Sequence, residues 1–170
     1  KSFVAWMPIP VMHGLTIGEL ARLCNDEGWL ANSIRAPLQV VEMEGWKRSM
    51  WYDETGLAWT PPSPNMQTLA TAIVYPGLWL VEGTSISEGR GTTSPFQIIG
   101  PPWADAEKVL KHLSAYHTPG IVCSAAEFTP NEITGTAIEP KFEGLLCHGV
   151  RISVVDRNAV QPFITNNSST

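Results

Sequence analysis

The most apolar stretch of the chain, Ala72 to Val81, is cut in its middle by Pro76-Gly77, and the same punctuation recurs throughout, with 14 prolines and 14 glycines in 170 residues. Proline removes a backbone donor and glycine loses the most entropy on ordering, so such a chain is confined to short elements joined by many loops. Neither half of the cut stretch approaches the ~20 apolar residues of a membrane-spanning helix. Apolar residues still make up 44% of the sequence, enough to bury a core, and the length suits one domain. Eleven basic against sixteen acidic residues give a net charge of −5. That balance offers no electrostatic footprint for a phosphate backbone or an anionic membrane, so neither nucleic acid nor membrane is expected as a partner.

Local signals place the elements. Thr16-Ile17-Gly18-Glu19 has capping-box spacing, and Ile17, Leu20, Ala21 and Cys24 recur at helical intervals, so a first helix begins there and fades near Gly28. Leu38 to Met43 (LQVVEM) reads as a short strand. Ser63-Pro64 offers an N-cap and first position for a second helix, whose stripe is Leu69, Ala72 and Ile73 and which stops before Pro76. Leu78 to Val81 is expected as a buried strand, Glu82 to Ser94 as a polar loop, and Pro95 to Ile99 as a further strand. Asp105 caps a third helix with Val109, Leu110, Leu113 and Tyr116 on one face, ended by Pro119-Gly120. Gly120 to Cys123 and Phe142 to Val155, the latter interrupted at His148-Gly149, complete the strands. The expected fold class is α/β in the mixed α+β sense, a mixed sheet covered by helices with long Trp/Pro-rich and Gly-rich loops. Residues 1–165 are expected to form a single domain and 166–170 a frayed tail.

Cys24, Cys123 and Cys147 are too widely spaced for a CxxC zinc or redox site and read as small apolar core residues, with a Cys123–Cys147 bridge left open. His112 and His117 are five apart and share no helical face, so no metal site is expected. No glycine-rich phosphate motif occurs, and no cofactor is expected.

Chemistry concentrates in the loop EGTSISEGRGTTS, where Glu82, Glu88 and Arg90 stand among hydroxyls and three glycines. Glycines let a backbone approach a ligand, hydroxyls suit sugar hydroxyls, and Arg90 offers a planar fork for a carboxylate, so an anionic sugar fits all three. The alternative is a tight turn whose hydroxyls satisfy their own backbone and whose Glu and Arg form a structural pair. Glu82 and Glu88 are the candidate carboxylates for glycoside hydrolysis, which uses two. His13, just before the first helix, either meets a bound anion or is structural. Trp46, Trp51 and Trp59 share one Pro-rich loop and are candidate sugar platforms, while Trp29, Trp79 and Trp103 adjoin expected elements and read as packing staples.

The segments PIPVMHGLTIGELA, MEGWKR, TGLAWTPPSPNMQTLATAIVYPG and EGTSISEGRGTTSPFQIIGPPW, in that order, resemble the NamZ-type exo-β-N-acetylmuramidases over nearly the whole chain, and more specifically their C-terminal portion. The resemblance implies a peptidoglycan glycosidase that releases terminal N-acetylmuramic acid and binds peptidoglycan-derived amino sugars. It further implies an N-terminal Rossmann-like domain as partner, with the family's acid/base glutamate in that domain, and a second cleft wall here. His13, Glu19, Ser63, Asn65, Glu82, Glu88, Arg90 and Thr92 match the distinctive positions, with Trp59 beside them; Met12 and Ser85 depart from the pattern. An exported bacterial protein, periplasmic or extracellular, is implied by resemblance alone, since Lys1 opens the chain without a signal peptide and suggests processing or excision from a longer protein. Three readings stand: the substrate-binding part of a glycosidase, a non-catalytic wall-sugar module, or an inactive fragment.

Overall fold

The computed structural model describes residues 7–162, so the expected tail at 166–170 lies outside them. Two compact units divide the chain, one running up to Trp51 and one from Tyr52 onward.

The first unit is organised by helix α1 (Ile17–Asp26). Both halves of the capping box form: Glu19 N donates to Thr16 Oγ1 at 3.2 Å and Thr16 N to Glu19 Oε2 at 2.8 Å. The Thr16 amide first, and Arg48 second, hold the Glu19 carboxyl below its ordinary range. The LQVVEM run does not become a strand. It runs beside α1, where Gly18 has no Cβ because Val40 Cγ1 would lie 2.6 Å from it. Just upstream, Asn25 supplies what a neighbouring strand would: its side chain donates to Ala36 O at 3.1 Å and accepts from Ala36 N at 2.7 Å. β-branched composition sets a preference for extended backbone, but a strand also needs a ladder partner. No described residue of this unit is fully buried.

The second unit is a three-stranded antiparallel sheet in the order β1-β3-β2, from β1 (Ile98–Ile99), β2 (Ile121–Phe128) and β3 (Cys147–Val154), with helices α2 (Leu69–Leu78) and α3 (Ala106–Leu113). The fold is thus mixed α/β with long intervening loops. Val74 of α2 meets Val150 and Ile152 of β3, and Val109, Leu110 and Leu113 of α3 pack on the same cluster. On the other face Ile98, Phe128 and Cys147 form a second cluster.

Several expectations change. Helix α2 starts at Thr68, whose hydroxyl accepts from Thr71 N at 3.1 Å, and not at Ser63. It also runs through Pro76: proline in a last turn forfeits only one bond, to Ala72 O, and the chain tightens into a 3₁₀ turn over Trp79–Gly83 where a strand was expected. Strand β3 continues through His148-Gly149, because Gly149 lets β1 close in; a Cβ there would sit 1.9 Å from Ile99 O. Asp105 caps α3 as expected, accepting from Lys108 N at 3.0 Å.

The cysteines are all free. Cys123 faces Ile152 and Cys147 faces Phe128, so about 17 Å of strand separates them, beyond the reach of the bridge left open by the sequence. Burial raises both thiols above their usual range.

Two outcomes follow from these contacts. Since Glu19 titrates low in the fold, the start of α1 gains from its ionised form above the ordinary carboxylate value of 4.5 and loses that support as pH falls through the lowered one. Amide exchange at the first turn of α1 will therefore accelerate below that value relative to the first turn of α2, whose cap does not ionise. Gly149→Ala will force β1 from β3 and cost about 1–3 kcal/mol of stability, read as a lower urea midpoint, while Gly135→Ala, with open space at its Cβ, will cost only the strain of its positive φ.

Candidate functional site

The polar loop is built round a buried carboxylate. Glu88 is 5% exposed, and its oxygens meet Arg90 Nε at 3.3 Å and Lys141 Nζ at 3.0 Å. On the outer side, Arg90 donates to Glu82 Oε1 at 2.8 Å, both side chains about a third exposed. The guanidinium also lies over the Phe96 ring, 5.4 Å from its centroid. Glu82, Glu88 and Arg90 are thus brought together as the sequence suggested.

Lys141 is the member that sequence reasoning missed. Its ammonium donates to the carbonyls of Val81 at 3.3 Å, Glu82 at 2.9 Å and Ile86 at 3.1 Å, while facing Glu88. Its three protons are thereby assigned to carbonyls, which leaves Glu88 Oε2 with charge contact but no aligned hydrogen bond among the described residues. Two acids and two bases make the cluster neutral overall.

The loop's glycines and hydroxyls serve the protein itself. Gly89 and Gly91 hold φ of +80° and +79°, and Cβ atoms there would lie 2.4 Å from Ile98 O and from Asn131 O. At these two glycines, what the sequence offered as room for a ligand is filled by neighbouring backbone, while Gly83 has open space at its Cβ. Thr92 Oγ1 donates to Gly89 O at 2.6 Å, Gly89 N to Ser87 Oγ at 3.1 Å, and Thr84 Oγ1 to Val81 O at 2.8 Å.

A second group of expected residues forms a neighbouring turn. Trp59 Nε1 donates to Met66 O at 3.3 Å, Met66 N to Ser63 O at 2.9 Å, and the Trp59 ring meets Tyr52 edge-on at 5.1 Å. Asn65 is 3% exposed and donates to Thr136 O at 2.7 Å, while its Oδ1 is buried without a partner among the described residues. The hairpin closed by Ile133 and Ala137 joins the two groups: Thr136 receives Asn65, Asn131 N donates to Gly91 O at 2.9 Å, and Lys141 follows. Sequence gave this hairpin no role, because its contacts are backbone carbonyls.

His13 and Glu19 belong to the N-terminal unit. His13 is exposed, with Nδ1 accepting from Leu15 N at 3.0 Å. Glu19 spends both oxygens, one on Thr16 N and one on Arg48 at 2.5 Å. Trp46 is half-buried under Arg48, and Trp51 is half-buried too. Trp103, expected as a staple, is instead 67% exposed.

Comparison with known proteins supports the family resemblance but carries it beyond the C-terminal portion that the sequence suggested. Residues 73–169 match the family model described as exo-β-N-acetylmuramidase NamZ, C-terminal, and residues 1–70 match its N-terminal counterpart. The chain is 47% identical over 167 residues to the peptidoglycan β-N-acetylmuramidase NamZ of Bacillus subtilis (strain 168), covering 98% of this chain and 38% of that protein. Two solved DUF1343 family proteins from Bacteroides fragilis NCTC 9343 are similar in structure. One has a TM-score of 0.82 at 35% identity over 94% of this chain and 40% of its own. The other has a TM-score of 0.72 at 36% identity over 90% and 37%.

The ion network predicts a graded response to charge removal. Lys141→Met leaves buried Glu88 with Arg90 as its remaining cation, and urea unfolding will register a loss of about 2–3 kcal/mol, below the 3–5 of a fully enclosed pair because Arg90 still faces Glu88 and Lys141 is a third open. Lys108→Met breaks the exposed pair with Asp105 and will cost under about 1 kcal/mol. Equal losses would mean that Glu88 is not held by Lys141.

Proposed function

The chain belongs to the exo-β-N-acetylmuramidase NamZ family, and from that premise we propose that it supplies a substrate-binding wall of a glycosidase that removes terminal N-acetylmuramic acid from peptidoglycan fragments. One observation carries the reading: Arg90 is held by buried Glu88 and by the Phe96 ring, and its other ion-pair partner, Glu82, is exposed. An exposed ion pair is worth little, so an incoming carboxylate can displace Glu82 and take over the fork of Arg90 without disturbing the anchor. The lactyl carboxylate of muramic acid is such a group. Glu88, enclosed and shared by two cations, fits the part of an anchor better than that of a proton donor. Glu82, once released, is the carboxylate free to meet sugar hydroxyls. His13, Glu19, Ser63, Asn65, Thr92 and Trp59 are carried as binding residues by family resemblance; of these, Asn65 holds the neighbouring hairpin at Thr136 O and Thr92 closes the loop on Gly89 O. A non-catalytic wall-sugar module would keep the same Arg90 arrangement and turn nothing over.

The test uses the intact protein and two sugars. Arg90→Lys will weaken binding of N-acetylmuramic acid by about tenfold, since a point charge cannot reproduce the fork, and leave N-acetylglucosamine unaffected. Glu82→Gln removes the internal competitor and will tighten muramic acid alone. Calorimetric titration reads both, and equal loss for the two sugars in Arg90→Lys would make Arg90 a structural residue. Turnover of a muramic-acid-terminated disaccharide separates glycosidase from module.

A further inference from the structure

Helix α3 covers only part of the sheet face it packs on. The cross-strand rows Ile121–Val154, Cys123–Ile152 and Ala125–Val150 run along one face of β2 and β3, and the next row on that face is Glu127–His148. There the cover ends, at the N-terminal turn of α3, and a bowl of about 680 Å³ opens. Trp103, Asp105, Glu107, Ala125, Glu127 and His148 are among its lining residues.

The bowl is furnished as a binding surface and not as a packing defect. Trp103 is 67% exposed, yet its ring is held edge-on against Phe142 at 5.3 Å and an interplanar angle of 88°. The segment leading to it is tied to β3 by His148 N donating to Pro101 O at 3.1 Å. A large apolar ring held in place while two-thirds of it stays exposed gains little burial, which marks it as a platform for something else. Beside it His148 Nδ1 meets Glu127 Oε1 at 3.1 Å, which leaves Nε2 without a partner among the described residues. A flat aromatic face next to a paired imidazole and carboxylate suits a pyranose, whose ring C–H groups stack while its hydroxyls reach donor and acceptor together. Asp105, Glu107 and Glu127 give the rim negative charge, offset in part by Lys108 at 3.0 Å from Asp105, so an anionic sugar is repelled.

We infer that the Trp103 bowl is a second carbohydrate site, which takes an uncharged hexosamine or glucose-type ring. It shares no residue with the Arg90 cluster and stands whether or not that cluster reads muramic acid.

The probe is triacetylchitotriose, an uncharged N-acetylglucosamine trimer, titrated into the intact protein by calorimetry. Saturable binding is expected, weakened about tenfold or more by Trp103→Ala and partly kept by Trp103→Phe, which retains a ring. Glu127→Gln will weaken it as well, and circular dichroism of Trp103→Ala will match the parent because the side chain lies outside the core. N-acetylmuramic acid will not compete at this site. Absence of saturable binding, binding indifferent to Trp103→Ala, or equal competition by muramic acid would each overturn the inference. None of these results touches the Arg90→Lys outcome, so the two readings fail separately.

Discussion

The second unit turns on one buried carboxylate. Glu88 is removed from water, and a charge so placed is tolerated only with opposite charge at contact distance. Arg90 comes from the same loop, two residues on, but Lys141 comes from the far side of a hairpin and must be delivered there by the fold. Because Lys141 also gathers two carbonyls from the turn after α2 and a third, Ile86 O, from the polar loop, a single ammonium joins the end of a helix, that loop and the approach to β3. The loop can then carry Gly89 and Gly91 in left-handed backbone, since neighbours on both sides hold it there.

Legibility in the sequence tracked how local each cause was. The caps at Thr16 and Asp105 were readable because donor and acceptor lie within three residues of each other. The helix faces of α3 were readable because packing on a sheet selects a 3.6-residue period. Pro76 was misread as a stop because its rule concerns helix interiors, and here only one carbonyl is forfeited near the end. LQVVEM was misread because composition sets backbone preference while a ladder also requires a partner.

The candidate site divides along the same line. Glu82, Glu88 and Arg90 sit within nine residues, and their opposite charges made a cluster the natural reading. Lys141 lies 59 residues beyond Glu82 in a segment without any motif, and no local signal could have joined them. The hydroxyls of Thr84, Ser87 and Thr92 were equally compatible with ligand or backbone, and they are bonded to backbone. Trp103 ran the other way: adjacency to a helix suggested packing, yet the helix begins after it and turns its apolar stripe elsewhere.

The polar row that ends the β2–β3 face also bears on how the two strands find each other. Apolar rows of similar size, such as Ile121–Val154 and Cys123–Ile152, tolerate a slip of two residues with little change in what is buried. A slip that set Glu127 opposite Val150 would carry a carboxylate beneath α3 and strip His148 of its partner. Glu127 and His148 therefore act as a notch in an otherwise repetitive ladder, making one alignment of the strands far cheaper than its neighbours.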